Sequence, residues 1–223
     1  KVFAINNIPN GRFAHPPEPT KEHLGQLSRV VCAKKADVGF AQDPDADRLT
    51  IVTDRGEPLN GEYTLALAVQ HILSRKKTAV VVNLSTSRMI ESIVRRKGMK
   101  IYYSKIGERH VVEKMRKLKA SVGGEGNGGV IYPAINAARD SFVGMGLMLE
   151  SLARFPKPLS TMIRELPRYE MIQKKLTLSK ARTKALLQSL PKQFKGGKVN
   201  YLDGIRIDTQ EGWIHARPSN TEP

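Results

Sequence analysis

The feature that most constrains the fold of this chain is an alternation of short apolar runs with longer segments of helical periodicity between residues 36 and 153. The short runs end at turn-forming residues, which is typical of strands, and the longer segments repeat apolar residues every three or four positions. The predicted strands are Ala36–Ala41, Leu49–Thr53, Thr78–Asn83, Lys100–Ser104, Ala120–Gly123 and Val130–Tyr132, and the predicted helices are Tyr63–Leu73, Ser87–Arg96, Glu108–Leu118 and Asp140–Ala153. This alternation indicates an α/β fold with a parallel layer.

The residues on either side of this alternation follow other patterns. Val2–Ile5 reads as a strand, residues 6–20 as a loop rich in Pro and Gly, and Thr20 as the cap of a helix that reaches Val31. After Pro158 the mixed order of elements indicates a small α+β domain. The elements predicted there are a strand near Tyr169–Leu178, a helix near Ser179–Ser189 and strands at Val199–Leu202, Ile205–Asp208 and Trp213–Ala216.

The helix predicted at Asp140–Ala153 carries more apolar residues than one amphipathic stripe requires. Phe142, Val143, Met145 and Leu149 fall on different sides of a 3.6-residue turn. We therefore expect this helix to be well buried.

The net charge of the chain indicates what kind of molecule it binds. The 223 residues include 37 Lys and Arg against 21 Asp and Glu, a net charge of +16, which favours partners that carry phosphate groups. Twelve of the cations but only three of the acidic residues lie within residues 150–200. We therefore expect much of the surplus to be solvated surface of the last domain.

Cysteine content and hydropathy exclude several classes of protein. Cys32 is the single cysteine, which excludes an intramolecular disulfide framework and a multi-cysteine zinc site and indicates a reducing compartment, expected to be the cytoplasm. No apolar run approaches the roughly 20 residues of a membrane span, so no membrane partner is expected. The first residues lack a signal-peptide pattern, and we expect the chain to be part of a longer protein.

The first candidate site is the loop Asp43-Pro44-Asp45-Ala46-Asp47-Arg48, with three carboxylates at alternate positions between two predicted strands. Hard divalent cations prefer several oxygen ligands, and a turn can bring alternating carboxylates to one ion. An EF-hand loop requires Gly where Arg48 stands, which argues against a calcium sensor. Mg²⁺ on three carboxylates would keep positions open for water or a phosphoryl oxygen, whereas a solvated acidic turn would bind no metal.

The second candidate is the glycine cluster Gly123–Gly129, which presents Glu125 and Asn127. It contains a formal G-x-G-x-x-G match, but the strand-like run Val130–Pro133 follows where a dinucleotide site needs a helix. A carboxylate and an amide on a closely approaching loop can hydrogen-bond neighbouring sugar hydroxyls. A glycine-rich turn with an incidental Glu is the alternative.

The third candidate is Arg217-Pro218-Ser219-Asn220-Thr221-Glu222-Pro223, where a guanidinium, two hydroxyls and an amide accompany turn-exposed backbone N–H groups. These donors suit a phosphate group. A polar turn without a ligand is the alternative.

Together and in this order, the three loops resemble those of the α-D-phosphohexomutase superfamily, which includes phosphomannomutase, phosphoglucomutase and phosphoglucosamine mutase. The matching stretches are Asp43–Arg48, Gly124–Gly128 and Arg217–Pro223, with weaker matches at Pro17–Thr20, Ile106–Met115, Arg139–Asp140 and Asp203–Ile207. The resemblance covers essentially the whole chain and implies a hexose or hexosamine phosphate as substrate.

The resemblance also implies a domain organisation of mixed-sheet α/β domains followed by a small C-terminal α+β domain. By comparison with the family, residues 1–57 are the latter part of domain 2, residues 58–160 are domain 3 and residues 161–223 are most of domain 4. The first domain, which in the family carries a phosphoserine, is missing and is an expected partner. The fragment alone is therefore expected to be inactive.

Site roles follow from the same resemblance. It implies that three aspartates hold Mg²⁺, that Arg48 lies beside the transferring phosphoryl group, and that further residues bind the sugar and the phosphate that is not reacting. The implied metal ligands are Asp43, Asp45 and Asp47, the implied sugar ligands are Glu125 and Asn127, and the implied phosphate ligands are Arg217, Ser219, Asn220 and Thr221.

The sequence departs from the family pattern at the sugar loop. Many members have Ser and His where this chain has Asn127 and Gly129, so a His with an acid/base role has no counterpart here. The stretch Gly107–His110 is similar to that of phosphoglucosamine mutases, which adds Arg109 and His110 as candidate cleft residues. An exposed helical position is the simpler interpretation of His110.

Two other functions compete with the mutase interpretation. A basic nucleic-acid-binding module would explain the charge, but aromatic residues make up only 6% of the chain. Nucleic-acid binding would also leave the residues of the three loops unexplained. A non-catalytic sugar-phosphate-binding protein would use the same loops without the serine. We favour a fragment of an enzyme that transfers a phosphoryl group between the 1- and 6-positions of a hexose phosphate.

Overall fold

Three sheets and their helices make up the computed structural model, which describes residues 1–218. A 3₁₀ turn at Lys21–His23 precedes the regular elements. The elements are α1 (Gly25–Lys34), β1 (Val38–Gln42), β2 (Leu49–Thr53), α2 (Gly61–Arg75), β3 (Val80–Asn83), α3 (Arg88–Arg96), β4 (Ile101–Ser104), α4 (Glu108–Leu118), β5 (Val122–Glu125), β6 (Gly129–Tyr132), β7 (Asn136–Arg139), α5 (Ser141–Arg154), α6 (Leu159–Arg164), α7 (Lys180–Gln193), β8 (Lys198–Asn200), β9 (Ile205–Asp208) and β10 (Trp213–Ala216).

The first sheet is an antiparallel hairpin of β1 and β2 in which Gln42 pairs with Leu49. Helix α1 packs on the hairpin through Leu24, Val31 and Val52. All five residues of β2 are buried, because α1 contacts the strand together with α2 and α5. The loop 43–48 at the end of this hairpin is therefore fixed to the rest of the protein.

The central sheet has five strands in the order β4-β3-β5-β6-β7. Strands β4, β3 and β5 are parallel, whereas β5, β6 and β7 form an antiparallel meander. The carboxyl ends of the parallel strands place Ser104, Asn83 and Glu125 along one edge. Ligands of α/β proteins bind at this edge of the sheet.

The C-terminal sheet, in the order β10-β9-β8, lies against the end of β3. Arg88 on α3 donates to Asp208 on β9 over 3.2 Å. His215 on β10 lies 2.7 Å from the hydroxyl of Ser85. These contacts bring the end of β10, and with it Arg217, to the carboxyl edge of the central sheet.

The predicted α/β class is confirmed, and the sheet is mixed because β6 and β7 turn back along β5. The segments Val2–Ile5 and Tyr169–Leu178 were predicted as strands, and both predictions are wrong. Neither segment pairs with a strand among residues 1–218, and an apolar run without a partner strand gains no ladder hydrogen bonds.

Two elements were not predicted. Strand β7 contains no β-branched residue and pairs with β6 through an irregular register, so its sequence carries no strand pattern. Helix α6 has only six residues, too few for helical periodicity to show.

Helix α5 is less buried than its composition indicates. Val143, Leu147 and Met148 are buried against the core, but Phe142 is 67% exposed and Leu149 is 51% exposed. The helix packs on α2 and β6 from one side, so its other face meets solvent.

Within residues 1–218 no helix has both the length and the apolar character needed to cross a bilayer.

Candidate functional site

The three aspartates converge at the tip of the β1–β2 hairpin. One carboxylate oxygen from each of Asp43, Asp45 and Asp47 lies within 4.8 Å of the others. Ala46 adopts a left-handed backbone conformation with a φ of 56°, which turns the loop so that the alternate side chains meet. The main-chain oxygen of Ala46 accepts hydrogen bonds from the backbone N–H and hydroxyl of Ser141, so α5 supports the loop.

Arg48 stabilises this loop with hydrogen bonds from its backbone and its side chain. Its backbone N–H donates to Asp43 Oδ1 over 3.0 Å, its Nε donates to Asp43 Oδ2 over 2.6 Å and its Nη1 donates to Glu18 over 2.8 Å. Burial acts to raise the pKa of Asp43, but the hydrogen bonds from Arg48 outweigh it and lower that pKa. Asp43 is therefore ionised and oriented.

One carboxylate oxygen of Asp47 accepts no hydrogen bond. Its Oδ2 accepts a hydrogen bond from Arg139, whereas its Oδ1 is buried without a hydrogen-bond partner. Burial raises the pKa of Asp47 to about 6, and the neighbouring carboxylates act in the same direction against the attraction of Arg139. Nε of Arg48 lies 3.6 Å from Oδ1 of Asp47, beyond hydrogen-bond distance. A buried carboxylate oxygen that accepts no hydrogen bond, beside two further carboxylates, fits the needs of a hard cation.

Glu125 lies at the end of β5, directly before the hairpin turn of residues 126–128 that leads into β6. Its side chain is buried and fully oriented. Oε1 accepts from Asn83 Nδ2 over 2.7 Å and from the Gly107 backbone N–H over 2.9 Å, and Oε2 accepts from Arg139 Nη1 over 2.8 Å.

Asn127 stands at the exposed tip of the same turn. Its Oδ1 accepts a hydrogen bond from the Gly129 backbone over 3.2 Å, which leaves its Nδ2 without a partner among residues 1–218. The turn is held against the loop 43–48, because the Leu49 backbone N–H donates to the Gly128 oxygen over 3.2 Å. The two candidate loops are therefore neighbours.

Glu62 packs against the turn 126–128. It is buried in the first turn of α2, where Oε2 accepts from the Ser87 backbone N–H over 3.1 Å. Burial raises the pKa of Glu62 to about 7, although the Ser87 hydrogen bond acts against this rise. A Cβ on Gly126 would lie 1.9 Å from Oε1 of Glu62, so the loop packs directly on this carboxyl group.

Arg217 reaches the same edge from the C-terminal sheet. Its Nη1 lies 3.8 Å from Asp203 Oδ2, which also accepts from the Ile106 backbone N–H over 2.9 Å. Gly107, the next residue, donates to Glu125. Asp203 therefore links Arg217 to the segment 106–107, which contacts Glu125. Ser219, Asn220 and Thr221 lie outside the residues that the structure describes.

His215 holds the end of β10 against residues 85 and 203. Its Nε2 lies 2.6 Å from the Asp203 main-chain oxygen, which can only accept, and its Nδ1 lies 2.7 Å from the Ser85 hydroxyl. The histidine therefore donates from Nε2 and accepts from Ser85. Burial lowers the pKa of His215, which favours this neutral form.

Arg109 and His110 are both exposed on α4. The Arg109 side chain is 86% exposed and pairs with Glu113 one turn along the helix. Neither side chain contacts Glu125, Asp47 or Arg217 among the hydrogen bonds and ion pairs of residues 1–218.

Several residues of the site were not singled out from the sequence. The sequence places Arg139 and Asp203 only in weak matches to the family, and it assigns no role to Asn83 or Glu62. Asn83 could have been found, because a polar residue at the carboxyl end of a buried parallel strand faces the ligand edge. Arg139 ends a strand that had no sequence pattern, so its position could not be predicted.

Models of known protein families match most of this chain. Residues 1–56 match the family model described as phosphoglucomutase/phosphomannomutase, alpha/beta/alpha domain II, and residues 60–169 match the model for domain III of the same family. The chain belongs to the phosphoglucomutase/phosphomannomutase family. The resemblance to phosphohexomutases that the three loops indicate is thereby confirmed.

Curated relatives within this phosphohexomutase family match across the whole chain. The phosphoglucomutase/phosphomannomutase of Thermococcus kodakarensis is 34% identical, and a protein of Methanopyrus kandleri named "Probable phosphoglucosamine mutase" is 32% identical. Both alignments cover 100% of this chain and 50% of the relative. The chain spans about half the length of the curated relatives it matches.

Solved phosphohexomutase structures share the fold. A phosphoglucomutase/phosphomannomutase family protein of Burkholderia thailandensis superposes with a TM-score of 0.80 at 30% identity, over 94% of this chain and 46% of that protein. The Paramecium phosphoglucomutase parafusin, in its open form, superposes with a TM-score of 0.60 at 15% identity over 88% of this chain and 41% of that protein.

Proposed function

We propose that this chain is part of a phosphohexomutase that moves a phosphoryl group reversibly between the 1- and 6-positions of a hexose or hexosamine phosphate. One observation carries the proposal. The proposed metal loop (residues 43–48), the proposed sugar loop (residues 123–129) and Arg217 are far apart in sequence, since 174 positions separate Asp43 from Arg217. Arg139 joins the metal loop to the sugar loop through Asp47 and Glu125, and Asp203 joins Arg217 to the Ile106–Gly107 peptide, whose Gly107 N–H donates to Glu125.

The acidic triad is the proposed metal site. Asp43, Asp45 and Asp47 would hold Mg²⁺, and Oδ1 of Asp47, which is buried and accepts no hydrogen bond, supports this assignment. A bound Mg²⁺ supplies positive charge that neutralises phosphoryl oxygens. In this chain Arg48 adds a fixed cation next to the triad, since its guanidinium is held by Asp43 and Glu18.

Glu125 and Asn127 are the proposed sugar ligands. Oε1 of Glu125 already accepts two hydrogen bonds and Oε2 accepts one, so one acceptor position is left for a sugar hydroxyl. The unpartnered Nδ2 of Asn127 is a donor at the same turn. A donor and an acceptor on one rigid hairpin can bind hydroxyls of a hexose in either of the two orientations that the reaction requires.

Arg217 is the proposed ligand of the phosphate that is not reacting. Its Nη1 lies 3.8 Å from Asp203, beyond hydrogen-bond distance, so its donors are available to an anion. Ser219, Asn220 and Thr221 complete the phosphate loop in this proposal. By the resemblance to the family, the phosphoryl-carrying serine belongs to the remaining half of the protein, which we propose as the partner of this chain.

A comparison of the complete protein with residues 1–223 tests the proposal. The complete protein should convert at least one of glucose 1-phosphate, mannose 1-phosphate and glucosamine 1-phosphate into the 6-phosphate in a coupled assay, and the chain alone should not. Turnover by the chain alone would show that the serine has been assigned to the wrong part. Binding of all three sugars without turnover by the complete protein would instead indicate a sugar-phosphate-binding protein.

The role of Arg217 is tested by titration calorimetry with the same sugar phosphates. Arg217→Ala should weaken binding by about tenfold or more, because a charge-assisted contact to phosphate is lost. Arg164→Ala removes an arginine that is exposed on α6 and is the matched control. Equal affinities of the two variants would exclude Arg217 from the phosphate site.

A further inference from the structure

Arg139 holds three carboxylates that come from three separate segments. Its Nη1 donates to Glu125 over 2.8 Å, its Nη2 donates to Asp47 and its Nε donates to Glu108 over 3.2 Å. The arginine ends β7 and its side chain is 82% removed from solvent, with 18% exposed. A planar guanidinium with donors on different sides is suited to such a junction, whereas a lysine ammonium has no fixed donor plane.

The contacts of Arg139 decide which oxygens of its partners are free. Asp47 gives Oδ2 to Arg139, whereas its Oδ1 accepts no hydrogen bond and lies 3.6 Å from Nε of Arg48. Glu125 uses Oε1 for Asn83 and Gly107 and gives one position of Oε2 to the arginine. The arginine therefore determines where the remaining acceptor of each carboxylate points.

Electrostatics gives Arg139 a second effect on the site. Asp47, Glu125 and Glu108 all surround one guanidinium. Without that cation, the three partly buried carboxylates would repel one another. The metal loop and the sugar loop would then separate or rearrange.

We infer that Arg139 is a positioning residue that holds the metal loop and the sugar loop in one arrangement and acts on substrate through Glu125. This inference rests on the proposed function of Glu125 as a sugar ligand. It adds a residue that does not itself contact the sugar or the phosphate.

A double-mutant cycle on the complete protein tests the inference. Glucose 1-phosphate, mannose 1-phosphate and glucosamine 1-phosphate are titrated into the wild type, Arg139→Gln, Glu125→Gln and the double variant. Each single variant should weaken binding of the preferred sugar phosphate by about tenfold, as expected for the loss of one charge-assisted hydrogen bond. The double variant should be no more than about twofold weaker than Glu125→Gln.

The controls separate positioning from general damage. Arg75→Gln breaks the ion pair with Glu150 on the α2–α5 surface and should leave sugar-phosphate affinity unchanged. Arg139→Lys keeps the charge without the forked donors, so its affinity should fall below that of the wild type and be no lower than that of Arg139→Gln. Thermal unfolding is recorded for every variant, and if Arg139→Gln is unfolded at the assay temperature the cycle is run with Arg139→Lys.

The outcomes are distinct. Additive losses in the double variant would overturn the role of Arg139, because a structural defect independent of Glu125 adds to the loss of the sugar contact. Wild-type affinity of the folded Arg139 variant would overturn it as well. If Glu125→Gln binds as tightly as the wild type, the proposed function of Glu125 fails before Arg139 is tested.

Discussion

Nη1 of Arg206 donates a hydrogen bond of 2.5 Å to the main-chain oxygen of Leu84, which joins the C-terminal sheet to the residue after β3. The Arg206 side chain is 2% exposed, and its guanidinium lies 4.7 Å from the ring centre of Tyr103 and 4.8 Å from that of Trp213. Asp208 balances its charge at 2.9 Å. One buried cation therefore connects the sheet that carries Arg217 to the sheet that carries Glu125.

Arg206→Met should destabilise the protein by about 3 kcal/mol, since it leaves the Leu84 oxygen without its donor and removes one of the two arginines that pair with Asp208, the other being Arg88. Urea unfolding followed by tryptophan fluorescence measures the lost free energy of unfolding. Trp213 is the single tryptophan, and its ring stacks against the Arg206 guanidinium. Arg154→Met is the control, because its ion pair with Glu150 is half exposed and should be worth less than about 1 kcal/mol. Equal losses in the two variants would contradict the role of Arg206.

The pKa of Glu62 predicts how stability depends on pH. Burial raises this pKa to about 7 from the ordinary value of 4.5, so the folded protein keeps a proton that the unfolded chain releases between these values. This contribution to stability is complete below pH 4.5 and falls as the pH rises toward 7, by up to about 3 kcal/mol.

Glu62→Gln should remove that dependence, because the amide resembles the protonated carboxyl and can still accept from Ser87. Urea unfolding at pH 5 and pH 8 measures the difference between the variant and the wild type. The variant should gain stability relative to the wild type at pH 8. Glu57→Gln changes an exposed carboxylate and should show no such gain. An identical pH profile for Glu62→Gln and the wild type would refute the prediction.

Sequence reasoning identified the parts of the fold that have a local signal. The strands Leu49–Thr53 and Ile205–Asp208 and the helix Glu108–Leu118 form where their periodicity predicts them. Ser87 and Asp140 cap α3 and α5 through side-chain hydrogen bonds to the helix N-termini, as their residue types favour. The motifs also led to the family, because three short loops in a fixed order are more specific than any one of them.

The remaining features depend on contacts between distant residues. Tyr169–Leu178 has the composition of a strand, but pairing needs an edge that the sequence does not reveal. Arg139 was unremarkable in sequence because its importance comes from Asp47 and Glu125, which are 92 and 14 positions away. The exposed side of α5 was missed for the same reason, since apolar content does not show on which sides a helix finds neighbours.

Gly61 lets the start of α2 approach the sugar loop. A Cβ at this position would lie 2.3 Å from the carbonyl carbon of Asn127 and 2.4 Å from the nitrogen of Gly128. Gly61→Ala should therefore destabilise the protein by about 2 kcal/mol, although Ala favours helix formation. Thermal unfolding measures this loss, and sugar-phosphate affinity should fall because the Asn127 turn is displaced.

Gly146→Ala is the matched control for this prediction. It lies within α5, where a Cβ would have nothing within 4 Å, so only helix propensity acts. This variant should gain about 0.5–1 kcal/mol in stability. A gain in stability in Gly61→Ala as well would show that the turn can move away without cost.

Asp45 gives the most direct test of the metal site, because it makes no hydrogen bond or ion pair in the part of the chain that the structure describes, residues 1–218. Asp45→Asn therefore breaks no protein contact and removes one of three carboxylates. Titration calorimetry with MgCl₂ should show at least about tenfold weaker binding, because a charged oxygen ligand is replaced by a neutral one.

Ligand binding to the folded state alone raises stability in proportion to the logarithm of ligand concentration, so Mg²⁺ should raise the melting temperature of the wild type and have less effect on Asp45→Asn. In the absence of Mg²⁺ the variant should be as stable as the wild type or slightly more stable, since one carboxylate near Asp43 and Asp47 is gone. Asp37→Asn, which changes an exposed aspartate outside the loop, should respond to Mg²⁺ like the wild type. Equal Mg²⁺ affinity in Asp45→Asn and Asp37→Asn would move the proposed metal away from the hairpin tip.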